Sequence, residues 1–281
     1  MGKFLSAAQI EGFARDGFVT RLPVLGKDEV ARLNALTEAF EAERPRDVAW
    51  AFDIKANLLF DWVYELGRNP RLLDAVEDLI GPDILMTNAT FRIKNPGSHV
   101  DYGWHQDSAR IEVTPAFVIA YVALSPATIE NGCLRVIPGT HGHVRPFSLT
   151  EGPGQRERLV ARVIDVDPDA AVNLELAPGD VAIFHGNAVH GSAANVSDDR
   201  RVAILYDFTP AAGRQNVGMG SGQLVRGRDL HGFWGHEPAP EPGLTDANVL
   251  ARRRTLRTYH ENVLLGPRLP GETVTFPDRP Y

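Results

Sequence analysis

Cys133 is the only cysteine in the 281-residue chain, so no internal disulfide can form and nothing calls for an oxidising compartment. No run approaches the ~18 consecutive apolar residues of a membrane span. The opening Met1-Gly2-Lys3-Phe4-Leu5-Ser6 lacks the apolar stretch of a secretory leader. Met1-Gly2 with Ser6 is a weak acylation pattern without a second anchoring signal. The expected location is the cytoplasm. Dense positive charge is missing too: 29 Lys and Arg stand against 36 Asp and Glu, a net charge of −7. Only Arg252-Arg253-Arg254 gathers basic side chains, and a solvated helix face is the expected place for them. Neutralising phosphates takes a basic stripe, so neither nucleic acid nor a membrane surface is an expected partner. Repeats and low-complexity tracts are also lacking.

What is present is an ordinary globular composition, 43% hydrophobic and 23% charged, with enough material for a core that can shelter a buried site. β-Sandwiches and barrels often reach this length as one unit. A single domain is therefore expected, with a helical part over 1–83, a jelly-roll core over about 84–210, and a loop and C-terminal helix over 211–281.

Ser6-Ala7-Ala8-Gln9 has the form of a capping box and opens a helix that stops near Gly17. Phe18-Val19-Thr20 reads as a strand ended by Pro23. Helical spacing of Val30, Leu33, Leu36, Thr37 and Phe40 predicts a helix over 28–43. Pro70 to Ile80 reads as another, with proline in its first turn and Gly81 beyond its end. From Ile84 the texture changes to short β-rich runs separated by turn residues: 84–94, 116–124, 133–138, 171–176, 181–185 and 201–209. This pattern predicts a sandwich or jelly roll, mainly β with flanking helices, rather than alternating βα units. The Gly- and Pro-rich stretch 211–242 reads as a long loop, 245–265 as helix, and the remainder as extended chain.

In Trp104-His105-Gln106-Asp107, residues two apart on an extended segment point to one side. His105 and Asp107 can then offer an imidazole nitrogen and a carboxylate oxygen to a common point. Further on, Pro178-Gly179-Asp180 turns into an apolar strand that ends at His185, and His190 follows among small residues. Two histidines and one carboxylate, with positions left open, make the facial triad suited to iron(II) and oxygen chemistry. Local spacing does not choose between His185 and His190 as the third ligand. Arg201 precedes the apolar run Val202-Ala203-Ile204-Leu205. A guanidinium pointing inward from such a strand needs a partner, which a dicarboxylate would supply bidentately.

Taken together, Trp104–Asp107, the run Glu130-Asn131-Gly132-Cys133-Leu134-Arg135-Val136-Ile137-Pro138-Gly139-Thr140-His141, and His190-Gly191-Ser192 with Arg201 resemble the phytanoyl-CoA dioxygenase family. The opening helix followed by Asp16-Gly17-Phe18-Val19 is similar as well, and the likeness covers roughly residues 5–235. The resemblance implies a double-stranded β-helix with iron(II) held by His105, Asp107 and His190. It also implies 2-oxoglutarate as co-substrate and O2 as oxidant. Arg201 would grip the far carboxylate, assisted by Ser192, with Tyr121 lining the pocket. Thr90, Arg92 and Lys94 share a strand face that would line the same pocket, and Tyr102 would pack on the co-substrate. Related halogenases carry a small residue in place of the carboxylate, so Asp107 implies hydroxylation of a small-molecule substrate. Desaturation, epoxidation and cyclisation are the alternative outcomes. A non-catalytic cupin-type binding protein would lose a ligand or the arginine. A zinc hydrolase would have no need of Arg201 or Ser192.

Structural roles are expected for the remaining pieces. Asn131-Gly132 and Pro138–His141 read as turns, His141 and His143 as surface residues, and Cys133 as a small buried side chain. His231, Phe233 and Trp234 are either loop packing or a lid. Oligomeric state and the identity of the substrate are not legible.

Overall fold

The computed structural model describes residues 2–109, 112–115, 117–151 and 159–265. Helices dominate its first part: α1 (Ala7–Asp16), α2 (Lys27–Glu43), α3 (Val48–Ala51), α4 (Asp61–Gly67) and α5 (Pro70–Ile80). The capping box forms as expected. The Gln9 amide donates to Ser6 Oγ at 3.3 Å, and Ser6 N–H donates to Gln9 Oε1 at 2.9 Å. Gly17 closes α1 in the left-handed region, φ 84°. α5 begins on an Asn69 cap with Pro70 in its first turn. The short helices α3 and α4 carry no periodic pattern long enough to be legible.

One strand, β1 (Phe18–Pro23), lies among the helices, and β2 (Ile84–Lys94) starts the β region. There follow β3 (Tyr102–His105), β4 (Val113–Thr114), β5 (Val118–Ala123), β6 (Leu134–Val136), β7 (Phe147–Glu151) and β8 (Leu159–Val163). Next come β9 (Val172–Leu174), β10 (Asp180–His185), β11 (His190–Ser192) and β12 (Arg201–Pro210). The chain continues through β13 (Arg214–Gln215), β14 (Ser221–Arg226) and β15 (Gly235–His236) to α6 (Asp246–Leu265). A seven-stranded sheet runs in the order β1-β10-β5-β12-β2-β14-β15, and a four-stranded sheet in the order β3-β11-β6-β9.

Strand alternation gives the large sheet two different faces. Val118, Ala120, Val122, Val181, Ile183, Val202, Ile204, Tyr206 and Phe208 pack with the helices in the main apolar core. Ile119, Tyr121, Ala123, Ala182, Phe184 and Ala203 turn the other way, onto Leu134, Val136 and Leu174 of the small sheet. The interior between the two sheets is where the chemistry-bearing residues gather.

Three expectations need correction. The segment 211–242 is not simply a loop, because β14 pairs with Ile84–Met86 of β2 and extends the large sheet. A Cβ on Gly222 would lie 3.0 Å from the Met86 carbonyl oxygen, so glycine here permits close backbone approach inside a strand. Arg252 is buried rather than solvated: its Nε and Nη2 donate to the Ile54 and Trp50 carbonyls at 2.8 Å each. The other two arginines of the triplet are exposed. His141 is half-buried, its ring 5.1 Å from that of His185. Cys133 is buried, as expected. Trp234 is interior packing, its indole N–H donating to Gly213 O at 2.7 Å, while Phe233 lies under the Arg214 guanidinium at 3.8 Å. The extended ending expected after Leu265 lies outside the described residues. No helix among the described residues is long and apolar enough to cross a membrane.

Candidate metal centre and anion pocket

β3 and β11 are adjacent antiparallel strands of the small sheet, and His105 and His190 are direct cross-strand partners. Their ring centroids are 4.1 Å apart. Just beyond β3 the chain turns into a short 3-10 segment that starts at Asp107. The Asp107 carboxylate stands 3.7 Å from His105 Nε2 and 3.6 Å from His190 Nε2. One ligand-type atom from each of the three residues lies within 4.8 Å of the others.

The backbone fixes which nitrogen each imidazole presents. His105 Nδ1 meets Gly103 O at 2.8 Å and His190 Nδ1 meets Ala188 O at 2.9 Å, so in each ring Nδ1 carries the proton and Nε2 keeps its lone pair. Burial holds both imidazoles down to about 4, with the neighbouring His190 adding to the effect at His105. Both are therefore neutral ligands at neutral pH. Gln106, between the two β3-end ligands, is buried. Its amide donates to the His143 and Asn187 carbonyls and accepts from Arg145 N–H, pinning the turn between His105 and Asp107.

His185, the rival third ligand, faces the other way. It follows Phe184 on β10, so the two point to opposite faces. Phe184 lies 4.7 Å from the His190 ring, whereas His185 packs toward Phe13 of α1 and accepts the Asn187 N–H on its Nδ1.

Arg201 is 1% exposed and Lys94 0%, and they are cross-strand partners on β12 and β2. Both reach Ser192: Arg201 Nη1 donates to its Oγ at 3.0 Å and Lys94 Nζ at 2.6 Å. Ser192 in turn donates to Gly132 O at 2.9 Å, and Arg201 donates to the same carbonyl. Gly132 has φ 74°, and a Cβ there would meet Ala193 O at 2.2 Å, so the Asn131-Gly132 turn needs its glycine. Burial, then the charge of Arg201, pushes the Lys94 ammonium down to about 7. Among the described residues neither cation bonds a carboxylate. Two polar atoms here, Arg201 Nε and Tyr121 Oη, are buried without a hydrogen-bond partner among the described residues, and the guanidinium lies 5.9 Å from the Tyr121 ring. Two desolvated cations beside an unpartnered phenol form a pocket built for an anion.

Thr90 and Arg92 continue the same face of β2, with Arg92 Nη1 donating to Thr90 Oγ1 at 2.9 Å. Tyr102 lies under both Arg92 and Lys94, each 5.4 Å from its ring centre. Apart from His185, the ten residues expected to hold the metal or the co-substrate stand around the space between the sheets. Asp207 was missed. It lies on the interior face of β12 and accepts from Asn88 Nδ2 at 3.1 Å. The only signal for it was a lone acidic residue in an otherwise apolar strand.

A sequence model described as phytanoyl-CoA dioxygenase (PhyH) matches residues 13–203. The peroxisomal phytanoyl-CoA dioxygenase of Mus musculus is 32% identical over 230 residues, 73% of this chain and 68% of that protein. A probable phytanoyl-CoA dioxygenase of Caenorhabditis elegans is 33% identical over 156 residues, 52% of this chain and 50% of that protein. The chain spans about half the length or less of several such curated relatives. Among solved structures, the non-heme monooxygenase ThoJ without ligand superposes with a TM-score of 0.80 at 26% identity, covering 92% of this chain and 98% of that one. CytC3 with Fe(II) and alpha-ketoglutarate shares the fold, with a TM-score of 0.63 at 20% identity over 83% of this chain and 93% of that one. The resemblance carried by the four sequence blocks therefore holds, and the chain belongs to the phytanoyl-CoA dioxygenase family.

Proposed function

We propose that this protein is an iron(II)- and 2-oxoglutarate-dependent dioxygenase that hydroxylates a small-molecule metabolite, releasing succinate and CO2. In this reading residues 1–281 form one oxygenase domain, and its two facing sheets are a double-stranded β-helix. The observation that carries the reading is the paired arrangement between those sheets. Three ligand-type atoms converge on one side, and beside them lie two buried cations that bond no carboxylate among the described residues.

The residues present fit the implied groups. His105 Nε2, His190 Nε2 and one Asp107 oxygen would hold the metal on one face and leave the opposite positions open. The orphaned Arg201 Nε and Tyr121 Oη, with Ser192, would receive the far carboxylate of the diacid. Its negative charge would offset the desolvation of Arg201 and restore the Lys94 ammonium. When bound, iron(II) with 2-oxoglutarate and O2 supplies an oxidant able to take hydrogen from a substrate C–H bond. The protein's own contribution is orientation and dryness. Gly103 O and Ala188 O lock the two imidazoles, Gln106 locks the turn, and Phe184, Ile119 and Leu205 line the interior with apolar surface.

The retained carboxylate of Asp107 favours hydroxylation over halogenation. Relatives range from phytanoyl-CoA dioxygenase to a probable alpha-ketoglutarate-dependent hypophosphite dioxygenase, so family membership leaves the substrate open. The test is succinate release from 2-oxoglutarate by the purified protein in air. Release should require iron(II), stop on chelation and return with iron but not with zinc. No iron-dependent succinate at any 2-oxoglutarate concentration would contradict the reading.

A further inference from the structure

The antiparallel register of the large sheet sets levels along the interior. Phe184 pairs with Ile119, Ile119 with Asp207, and Asp207 with Asn88, so these four residues form one transverse row. Phe184 is the residue whose ring lies 4.7 Å from His190. Asp207 therefore stands at the level of the metal ligands, two strands away from Phe184. Arg201 lies six residues back along the same face of β12, on the order of 20 Å at the usual rise per residue. Along the strand direction Asp207 is thus level with the ligand triad, and Arg201 of the anion pocket is displaced from it toward one end of the interior.

The carboxylate of Asp207 is held but not used up. Asn88 donates to its Oδ2, and Asn88 is itself fixed because its Oδ1 accepts from Lys55 N–H at 2.8 Å. Among the described residues no other hydrogen bond reaches the Asp207 carboxylate, and the residue is half-buried. Arg92 is near enough for its charge to act on both Asp207 and Asp107. Its guanidinium, however, hydrogen-bonds to Thr90 and the Phe91 carbonyl instead. Burial and then the charge of Asp107 push the Asp207 carboxyl up to about 7, while the Asn88 bond and the charges of Arg92 and Lys55 act the other way, so a cation bonded to its second oxygen would hold it ionised.

We propose that Asp207 is a specificity-determining residue that receives a protonated nitrogen of the primary substrate, and that the substrate class is therefore amine-bearing. The inference rests on the iron(II)/2-oxoglutarate reading of the same site. A neutral hydroxyl would satisfy one lone pair but leave the charge uncompensated. An ammonium does both through a charge-assisted bond. Asn88, which holds Oδ2, is the positioning residue for the Asp207 carboxylate.

The test uses full-length protein loaded with iron(II) and 2-oxoglutarate. The probes are a panel of small primary amines, each paired with its N-acetyl counterpart, read by stimulation of succinate release. The unaltered protein should prefer the amine of responding pairs by about tenfold or more in half-saturating concentration. Asp207→Asn should erase that preference, and Asp207→Glu should retain part of it. Both variants should keep the weak visible band that 2-oxoglutarate produces anaerobically with bound iron(II), which certifies a folded, loaded site. Equal response to amine and N-acetyl probes, no response to any amine, or a preference that survives in Asp207→Asn would overturn the proposal. Absence of the band from the unaltered protein would instead overturn the iron reading and the inference with it.

Discussion

Along β12 the residues Val202, Ile204, Tyr206 and Phe208 turn toward the helices, while Arg201, Ala203, Leu205 and Asp207 turn between the sheets. The first set is apolar apart from the Tyr206 hydroxyl, which donates to Val63 O at 2.9 Å. The second begins with a buried guanidinium and ends with a carboxylate. One strand therefore does two jobs on two faces. Its outward face binds the sheet to α1–α5 through apolar burial. Its inward face holds a guanidinium that bonds no carboxylate and a carboxylate that bonds no cation among the described residues. Buried charges without partners cost stability, and they persist where a ligand completes them.

Substitutions on the two faces should separate folding from chemistry. The largest effect is expected opposite the inward face: His105→Ala or Asp107→Ala should abolish iron-dependent succinate formation while circular dichroism stays unchanged. Turnover equal to the unaltered protein would overturn the ligand assignment. Arg201→Ala should raise the half-saturating concentration of 2-oxoglutarate by ~10²-fold or more, if loss of one partner of a buried charge pair costs about 3–5 kcal/mol. On the outward face, Phe208→Ala should lower unfolding free energy by about 3–5 kcal/mol, through lost burial and a cavity, with little change in 2-oxoglutarate affinity. Denaturant titration and co-substrate kinetics on the same preparation decide whether the faces are separable. Ile204→Val should show the same split at about 0.5–1.5 kcal/mol.

A separate effect concerns pH. Lys94 holds its ammonium down to about 7 in the folded protein, through burial and then Arg201, against ~10.4 in an unfolded chain. Between these values the unfolded state binds the additional proton, so this residue makes stability rise with pH from about 7 to 10. Thermal unfolding of metal-free protein across that window should show a smaller rise for Lys94→Met than for the unaltered chain. Identical slopes would mean that Lys94 is not desolvated.

The sequence made the ligand-bearing blocks and the strands legible because each depends on local spacing: His105 and Asp107 two apart, and Arg201 ahead of an apolar run. What stayed hidden depends on which face of an element is covered. β10 is buried on both faces, so alternation alone could not say whether Phe184 or His185 looks at the metal site. Arg252 reads as solvated until α6 is seen to lie against residues 50–54. β14 was obscured by the glycine that lets it approach Met86. Asp207 became meaningful only once the register put it level with His190.

The central claim is that the histidine–aspartate triad and the Arg201–Lys94 pocket act together on one metal-bound diacid. Anaerobic titration of 2-oxoglutarate into the iron(II)-loaded protein tests it most directly. A weak visible absorption band should grow and saturate, and in Arg201→Ala it should need far more of the diacid. A featureless spectrum in the unaltered protein, or saturation at the same concentration in both, would contradict the account.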